Sequence, residues 1–206
     1  MLKKITLVLS SFLITFLVCS NIFATDMTVF GLKLGEKFDL AECDKYPKIE
    51  VYQINKKGVC FQRSEVKYPI RDKKPSTSPI VNDLVWISFP TNEYPDVAND
   101  IRAVVIDGNL ESIIFFTDGV KNGEFVLESL TRKYGKPTNL ISSKVQNGLG
   151  ATFDAYVAEW TFDNLFVVFK SVTDTIKYGR AEINTKKHKE IEEKKLKDLN
   201  KNKRIL

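Results

Sequence analysis

Histidine is nearly missing from this chain, and cysteine is scarce. His188 is the one histidine among 206 residues, and Cys19, Cys43 and Cys60 are the three cysteines. A serine or cysteine nucleophile needs a neighbouring base, most often histidine. His188 stands in a lysine-rich segment and reads as a bystander to such chemistry. Cys43 and Cys60 are too far apart for a CxxC pair, and no DxDxDG-like run supplies a calcium loop, so neither a metal nor a cofactor is expected. No repeat of fixed period is present. With 28% charged and 43% hydrophobic residues, the composition excludes collagen, pure disorder and a polytopic membrane protein.

Charge is missing from one long stretch. Lys3 and Lys4 are followed by Ile5–Val18 without a charged residue, then by Cys19-Ser20-Asn21 and, at position 24, an alanine. A basic start, an apolar run and a small residue at the cut describe a secretory signal peptide over residues 1–24, cleaved between Ala24 and Thr25. Two other readings stay open: a lipoprotein cysteine at Cys19, and an uncleaved anchor over Ile5–Ala24, which has about the length a span needs. The short basic start and abrupt apolar run look bacterial, which points to the periplasm or a secreted protein.

Cleavage would remove Cys19 and leave Cys43 and Cys60 as an even pair in an oxidising compartment, where a structural disulfide is expected. A loop of that size gains about 3 kcal/mol from closure on chain-entropy grounds.

The excess of basic residues is confined to the ends. The tail, 186–206, carries a net charge of +5 and the leader +2, so the body, 25–185, is left at −2. That partition removes any case for a nucleic-acid-binding domain. Glu190, Glu192 and Glu193 precede Lys194, Lys195 and Lys197 at helical ion-pair spacing, so the tail reads as a charged, solvated helix. Its apolar stripe, Ile191, Leu196 and Leu199, is thin. Removing it should leave a folded, acidic body, unless those three residues dock. A tail of this kind could also touch an anionic envelope polymer or lipid.

Within the body, Phe30–Gly35 alternates like a strand, and Asp39–Cys43 reads as a capped turn of helix. Ile49–Ile54 and Val59–Arg63 flank Asn55-Lys56-Lys57-Gly58 as a hairpin, whereas Ser64–Asn82, with its prolines, reads as a loop. Asp83–Phe89 is a strand. Ile101–Ile106 and Leu110–Thr117 surround Asp107-Gly108-Asn109, a strong hairpin signal. Val126, Leu127, Leu130 and Tyr134 share a helix face that Asn122 can cap, and that Gly135 and Pro137 end. Ala155–Phe162, Leu165–Val172 and Tyr178–Asn184 complete the strands. Strands, one main helix, then strands with short connections predict a single α+β domain: a mainly antiparallel sheet, one main helix packed on it, and a charged C-terminal helix.

Two stretches together carry a resemblance. They are Phe30-Gly31-Leu32-Lys33-Leu34-Gly35 leading to Cys43, and Asp107-Gly108-Asn109-Leu110 through Phe115-Phe116-Thr117 to Leu130-Thr131-Arg132-Lys133-Tyr134-Gly135-Lys136-Pro137-Thr138. The layout resembles small exported bacterial proteins of uncharacterised function and spans most of the body. It implies a fold and a compartment, and brings no catalytic residue.

Carboxylates are the one source of acid–base chemistry left. Asp107, Glu111 and Asp118 bracket one hairpin and could serve a small hydrolase. Each also has a structural explanation: a turn, an outward strand position and a loop before a helix. Trp86 and Trp160 lie in apolar β runs and are expected in the core. Either would become a binding platform if it faced outward beside Tyr94 or Tyr156. Lys56-Lys57 and Lys73-Lys74 are read as solubilising loop pairs. The preferred expectation is a non-catalytic envelope protein whose partner is another envelope protein or an anionic polymer. The alternative is a hydrolase acting through acidic residues.

Overall fold

The computed structural model describes residues 27–45, 58–63 and 80–203. Ten strands and two helices follow one another: β1 (Thr28–Val29), β2 (Leu32–Lys33), β3 (Cys60–Arg63), β4 (Asp83–Ser88), β5 (Asp100–Ile106), β6 (Asn109–Thr117), α1 (Gly123–Tyr134), β7 (Asn139–Gln146), β8 (Thr152–Thr161), β9 (Leu165–Lys170), β10 (Gly179–Thr185) and α2 (Lys186–Lys203). Eight strands form one sheet in the order β3-β4-β5-β6-β10-β9-β8-β7. Every neighbouring pair in it is antiparallel. This is the α+β architecture the sequence predicts, with a helix on the sheet and a charged helix at the C-terminus.

Strand alternation divides the sheet into two chemically different faces. One face stacks Ile101 and Ala103 of β5, Ile113 and Phe115 of β6, Ala181 and Ile183 of β10, and Val167 and Phe169 of β9, all buried. Ala181 lies opposite both Phe115 and Phe169, so a small residue accommodates a ring from each neighbouring strand. The buried face of α1, Val126, Leu130 and Tyr134, covers one half of this surface. The other half is covered by β1 and β2, whose connecting residue Phe30 sets its ring edge-on to Phe115 at 5.2 Å and to Phe89 at 6.3 Å. The second face alternates Arg102, Val104, Ile114, Phe116, Arg180 and Glu182, and is only partly covered.

Several local expectations change. Phe30–Gly35 is no continuous strand: the chain reverses at Phe30 and Gly31, both at positive φ (51° and 79°), and makes a tight β1–β2 hairpin. Two successive positive-φ residues are what a two-residue hairpin turn requires. Asp39–Cys43 is not helical either. Its backbone runs beside β3, where Cys43 N–H donates to Phe61 O (2.8 Å) and Phe61 N–H donates to Ala41 O (3.0 Å). Those sheet-type bonds satisfy the groups a helical turn would otherwise have paired. Asn122 precedes α1 but forms no side-chain cap bond; Gly135 ends the helix as expected, its N–H reaching Thr131 O. Asn139–Gln146, not anticipated as a strand, forms β7. The strand expected at Ile49–Ile54, most of the expected loop 64–82, and both lysine pairs lie outside the described residues.

Cys43 and Cys60 are disulfide-bonded, joining the 41–43 segment to the first residue of β3. Arg63 Nε adds an ion pair to Glu42 at 3.0 Å across the same seam. Replacing both cysteines by serine is expected to lower the unfolding free energy by about 2–4 kcal/mol while leaving a cooperative transition. The persistence follows from β4–β10 and α1, whose packing does not involve the bridge. Urea denaturation followed by circular dichroism checks both parts, and a non-cooperative transition would contradict the second.

Candidate functional site

The C-terminal helix is docked at its start and free along its end. β10 runs into α2 without a connecting loop. Thr185 marks the change, because its Oγ1 accepts the backbone N–H of His188 at 3.2 Å as a helix N-cap. The same hydroxyl donates to the carboxylate of Glu111. Lys187 Nζ lies 2.8 Å from Asp107 and 3.9 Å from Glu111, so the β5–β6 turn holds the helix entry. Carboxylates at a helix N-terminus also meet the positive end of its dipole.

Glu111 corrects one expectation. An outward strand position was foreseen, and the side chain is instead buried. The β5–β6 register shifts between Val104 and Val105, which inserts Glu111 as an extra residue and turns it inward.

Past its first turn, α2 stands off the second sheet face and roofs a groove of about 750 Å³. Leu84, Val104 and Ile114 on one side and Phe166 and Val168 on the other form apolar strips of the floor, divided by Glu182 and Asn184 of β10. The roof is contributed by His188, Ile191, Glu192, Lys195 and Leu196. Lys189 extends its ammonium over the Phe166 ring, 3.9 Å from the centroid, and closes one side. The same face carries a cation–aromatic ladder that reaches the groove at Arg180. The Arg102 guanidinium lies over Trp86 (5.3 Å) and Phe116 (4.6 Å), and that of Arg180 over Phe116 (5.9 Å). Asp100 and Glu182 pair with these arginines at 2.8 and 3.0 Å and keep the ladder near neutral.

His188 is the most unusual group here. It is 8% exposed, and its Nδ1 has no hydrogen-bond partner among the described residues. Burial holds its pKa below the usual 6.5, against the opposing pull of Glu192 on its own helix, Glu182 on β10 and Glu111 on β6. Lys195 acts in the same direction as burial. His188 thus lies in an ordered, docked turn, where burial makes it an anchor of α2.

No family model, curated protein or solved structure matches this chain. The site must therefore be read from its own geometry. The three carboxylates singled out in the sequence do not converge. Asp107 and Glu111 meet at Lys187, whereas Asp118 sits beyond the far end of β6, accepting from Asn99 at 2.6 Å. The intervening strand separates the two ends by about 30 Å at the usual rise per residue. Among the described residues, no group of three His, Cys, Asp or Glu side chains could hold a metal ion, and no helix is long and apolar enough to cross a membrane.

The tryptophans divide. Trp160 is fully buried under α1, as expected, whereas Trp86 is half-buried on the second face beneath Arg102. Of the tyrosines proposed for a platform, Tyr94 packs edge-on against Phe89 at 6.0 Å. Ile191 is half-buried, while Leu196 and Leu199 are each 58% exposed, so the helix docks by its first turns only. The groove escaped sequence reasoning because it arises from a stand-off between two elements. A lone histidine beside a thin apolar stripe was its one available signal.

The depressed pKa has a definite consequence. A folded-state value below the unfolded 6.5 means the unfolded chain binds the proton more tightly. The contribution of docked His188 is present above pH 6.5 and is lost as pH falls from there toward the folded value. Thermal melts between pH 7.5 and 5.5 are expected to show falling stability, and hydrogen exchange to show lower amide protection factors, corrected for the intrinsic rates, in 186–191. The His188→Gln chain should lose this pH dependence; an equal slope in both chains would contradict the assignment.

Proposed function

We propose that this is an exported, non-catalytic envelope protein that holds an amphipathic envelope component in the groove roofed by α2. The observation that carries this reading is the groove itself. It has a ligand-sized volume, apolar strips on β4–β6 and on β9, and between them the polar side chains of Arg180, Glu182 and Asn184 on β10, with His188 in the roof above. Export is supported by Lys3-Lys4, the uncharged run and Ala24, together with a disulfide of the kind that persists in oxidising compartments. The carboxylates of Asp107 and Glu111 support a non-catalytic role, since Thr185 and Lys187 engage both in fixing the helix.

Two measurements test the proposal. N-terminal sequencing of the protein from a native envelope fraction is expected to begin at Thr25; an intact Met1 or a lipid-modified Cys19 would contradict cleavage. A fluorescent single-chain amphiphile, palmitate carrying a solvatochromic dye, is expected to bind saturably. Val168→Trp, which fills the floor, should weaken that binding tenfold or more with an unchanged melt. Absence of saturable binding, or equal binding by the filled variant, would exclude the groove as the ligand seat.

A further inference from the structure

The two edges of the sheet are treated differently. At one edge, residues 41–43 lie along β3, bonded to Phe61 and tied by the disulfide. At the other, β7 pairs with β8 over eight uninterrupted positions, and its outer side meets no other strand among the described residues. Exposed edges are commonly blunted by prolines, bulges, short length or several charges. β7 has no proline and no register shift, and its one charged residue, Lys144, is engaged by Asp154 of the same hairpin at 2.5 Å. Leu140 and Ile141 are 48% and 54% exposed on opposite faces.

We propose that β7 is the homodimer edge of this protein, pairing antiparallel with β7 of a second copy about a two-fold axis at Ser143. Such an axis is perpendicular to the sheet and keeps each face on its own side. Only registers that oppose residues of the same face are therefore allowed. Centring on Lys144 sets like charges together, and centring on Ser142 sets Leu140 against Lys144. Centring on Ser143 places Ile141 opposite Val145 of the second copy on both sides of the axis, with Ser142 opposite Lys144 and Leu140 opposite Gln146. This register sets Ile141 against Val145 twice, keeps Lys144 from facing its own copy or Leu140, and opposes no like charges, while Leu140 faces Gln146. Because the β3 edge is already occupied, the pairing closes as a dimer and does not extend into a filament. The joined sheet carries both α2 helices, and both grooves, on the same side.

A single-strand edge buries less than a standard interface, so the dimer should be concentration-dependent, with a dissociation constant in the micromolar range, on the order of 10–100 µM. Sedimentation velocity on the full chain is expected to show this equilibrium. Ile141→Lys should weaken it at least tenfold with an unchanged thermal melt. Position-specific cross-linking tests the register in a Cys19→Ser background. Ser143→Cys sets two thiols on directly opposed residues about 4.5–5.5 Å apart at Cα, within disulfide reach. Ser142→Cys sets them about 8 Å apart, beyond it. A covalent dimer from Ser143→Cys and none from Ser142→Cys is the expected result. A chain that stays monomeric at 200 µM (about twice the top of that range), a dimer untouched by Ile141→Lys, or preferential cross-linking through Ser142→Cys would overturn the proposal. None of these outcomes depends on whether the groove binds an amphiphile.

Discussion

Trp160→Ala should lower the unfolding free energy by about 3–5 kcal/mol, the range for removing a large buried aromatic. Trp160 is fully buried, on the sheet face under α1, and it does two jobs there. Its indole packs near Tyr134, 6.4 Å between ring centroids, so the last turn of the helix rests on it. Its Nε1–H donates to Gly135 O at 2.8 Å, supplying a partner for a carbonyl at the helix end. Alanine removes the ring volume and leaves that carbonyl unpaired together. Trp160→Phe separates the two effects: most of the packing stays and the hydrogen bond goes, at a cost of about 1–2 kcal/mol. Trp86→Ala on the other face should cost about 1 kcal/mol, because Trp86 is half-buried and its guanidinium contact is of the surface kind. Urea unfolding of the three variants checks the order. Equal costs for Trp160→Ala and Trp86→Ala would mean that α1 is not held through this indole.

The same contrast between the faces explains what could be read in the sequence. Asp107-Gly108 and the spacing of Val126, Leu130 and Tyr134 act locally. A positive-φ turn and a helix stripe are consequences of a few adjacent residues, and both appear where they were expected. Cys43 and Cys60 could be paired because two cysteines allow one connectivity. What failed depends on distant partners. Glu111 is buried because the β5–β6 register slips by one residue, and nothing in Asn109–Thr117 itself announces a bulge. Asp39–Cys43 has helix-like composition, yet its backbone bonds to β3. β7 has apolar residues scattered over both sides and lacks the alternation that marks a half-buried strand, because neither of its faces is covered. The docking of α2 rests on one histidine, one threonine cap, the Lys187 ion pairs and one half-buried isoleucine, too few apolar positions for a periodic signal.

The proposed binding role falls on the incompletely covered face for a physical reason. The face under α1 and the β1–β2 hairpin is closed by large side chains in direct contact, and the cavity between Phe30, Phe115 and Val126 there is about 140 Å³. The second face combines apolar floor residues with arginine–aromatic stacks and is roofed by a helix anchored at one end. A roof of that kind can change its distance from the floor without disturbing the core beneath, since the two faces share only the backbone of the sheet.

Gly119→Ala carries the other large effect, and it acts through backbone contact. Gly119 opens the short 3-10 turn between β6 and α1 at φ +59°. A methyl group there would lie 2.1 Å from Ile176 O, 2.6 Å from Lys177 C and 2.7 Å from Tyr178 N. All three are main-chain atoms, so no side-chain rotation relieves the overlap. The opposing segment cannot simply retreat, because it is fastened to itself and to the turn. Thr173 N–H donates to Tyr178 O (2.9 Å), and Val120 N–H donates to Ile176 O (2.9 Å). Immediately after it, Gly179 starts β10 in equally close quarters, with Ser171 O 2.8 Å from the position of its own absent Cβ. Relieving the clash therefore means breaking the turn-to-loop contact and pulling at the first rung of a central strand. The left-handed backbone adds about 1 kcal/mol for a non-glycine residue, and the lost contacts bring the expected destabilisation to at least about 3 kcal/mol. Gly31→Ala is the matched control. Its φ is +79°, but no atom lies within 4 Å of the added methyl, so only the backbone cost of about 1 kcal/mol applies. Amide exchange should rise across 172–178 in the Gly119 variant and remain unchanged there in the Gly31 variant. Equal destabilisation by the two substitutions would show that the 172–178 segment yields freely and that the contact does not hold β10 in place.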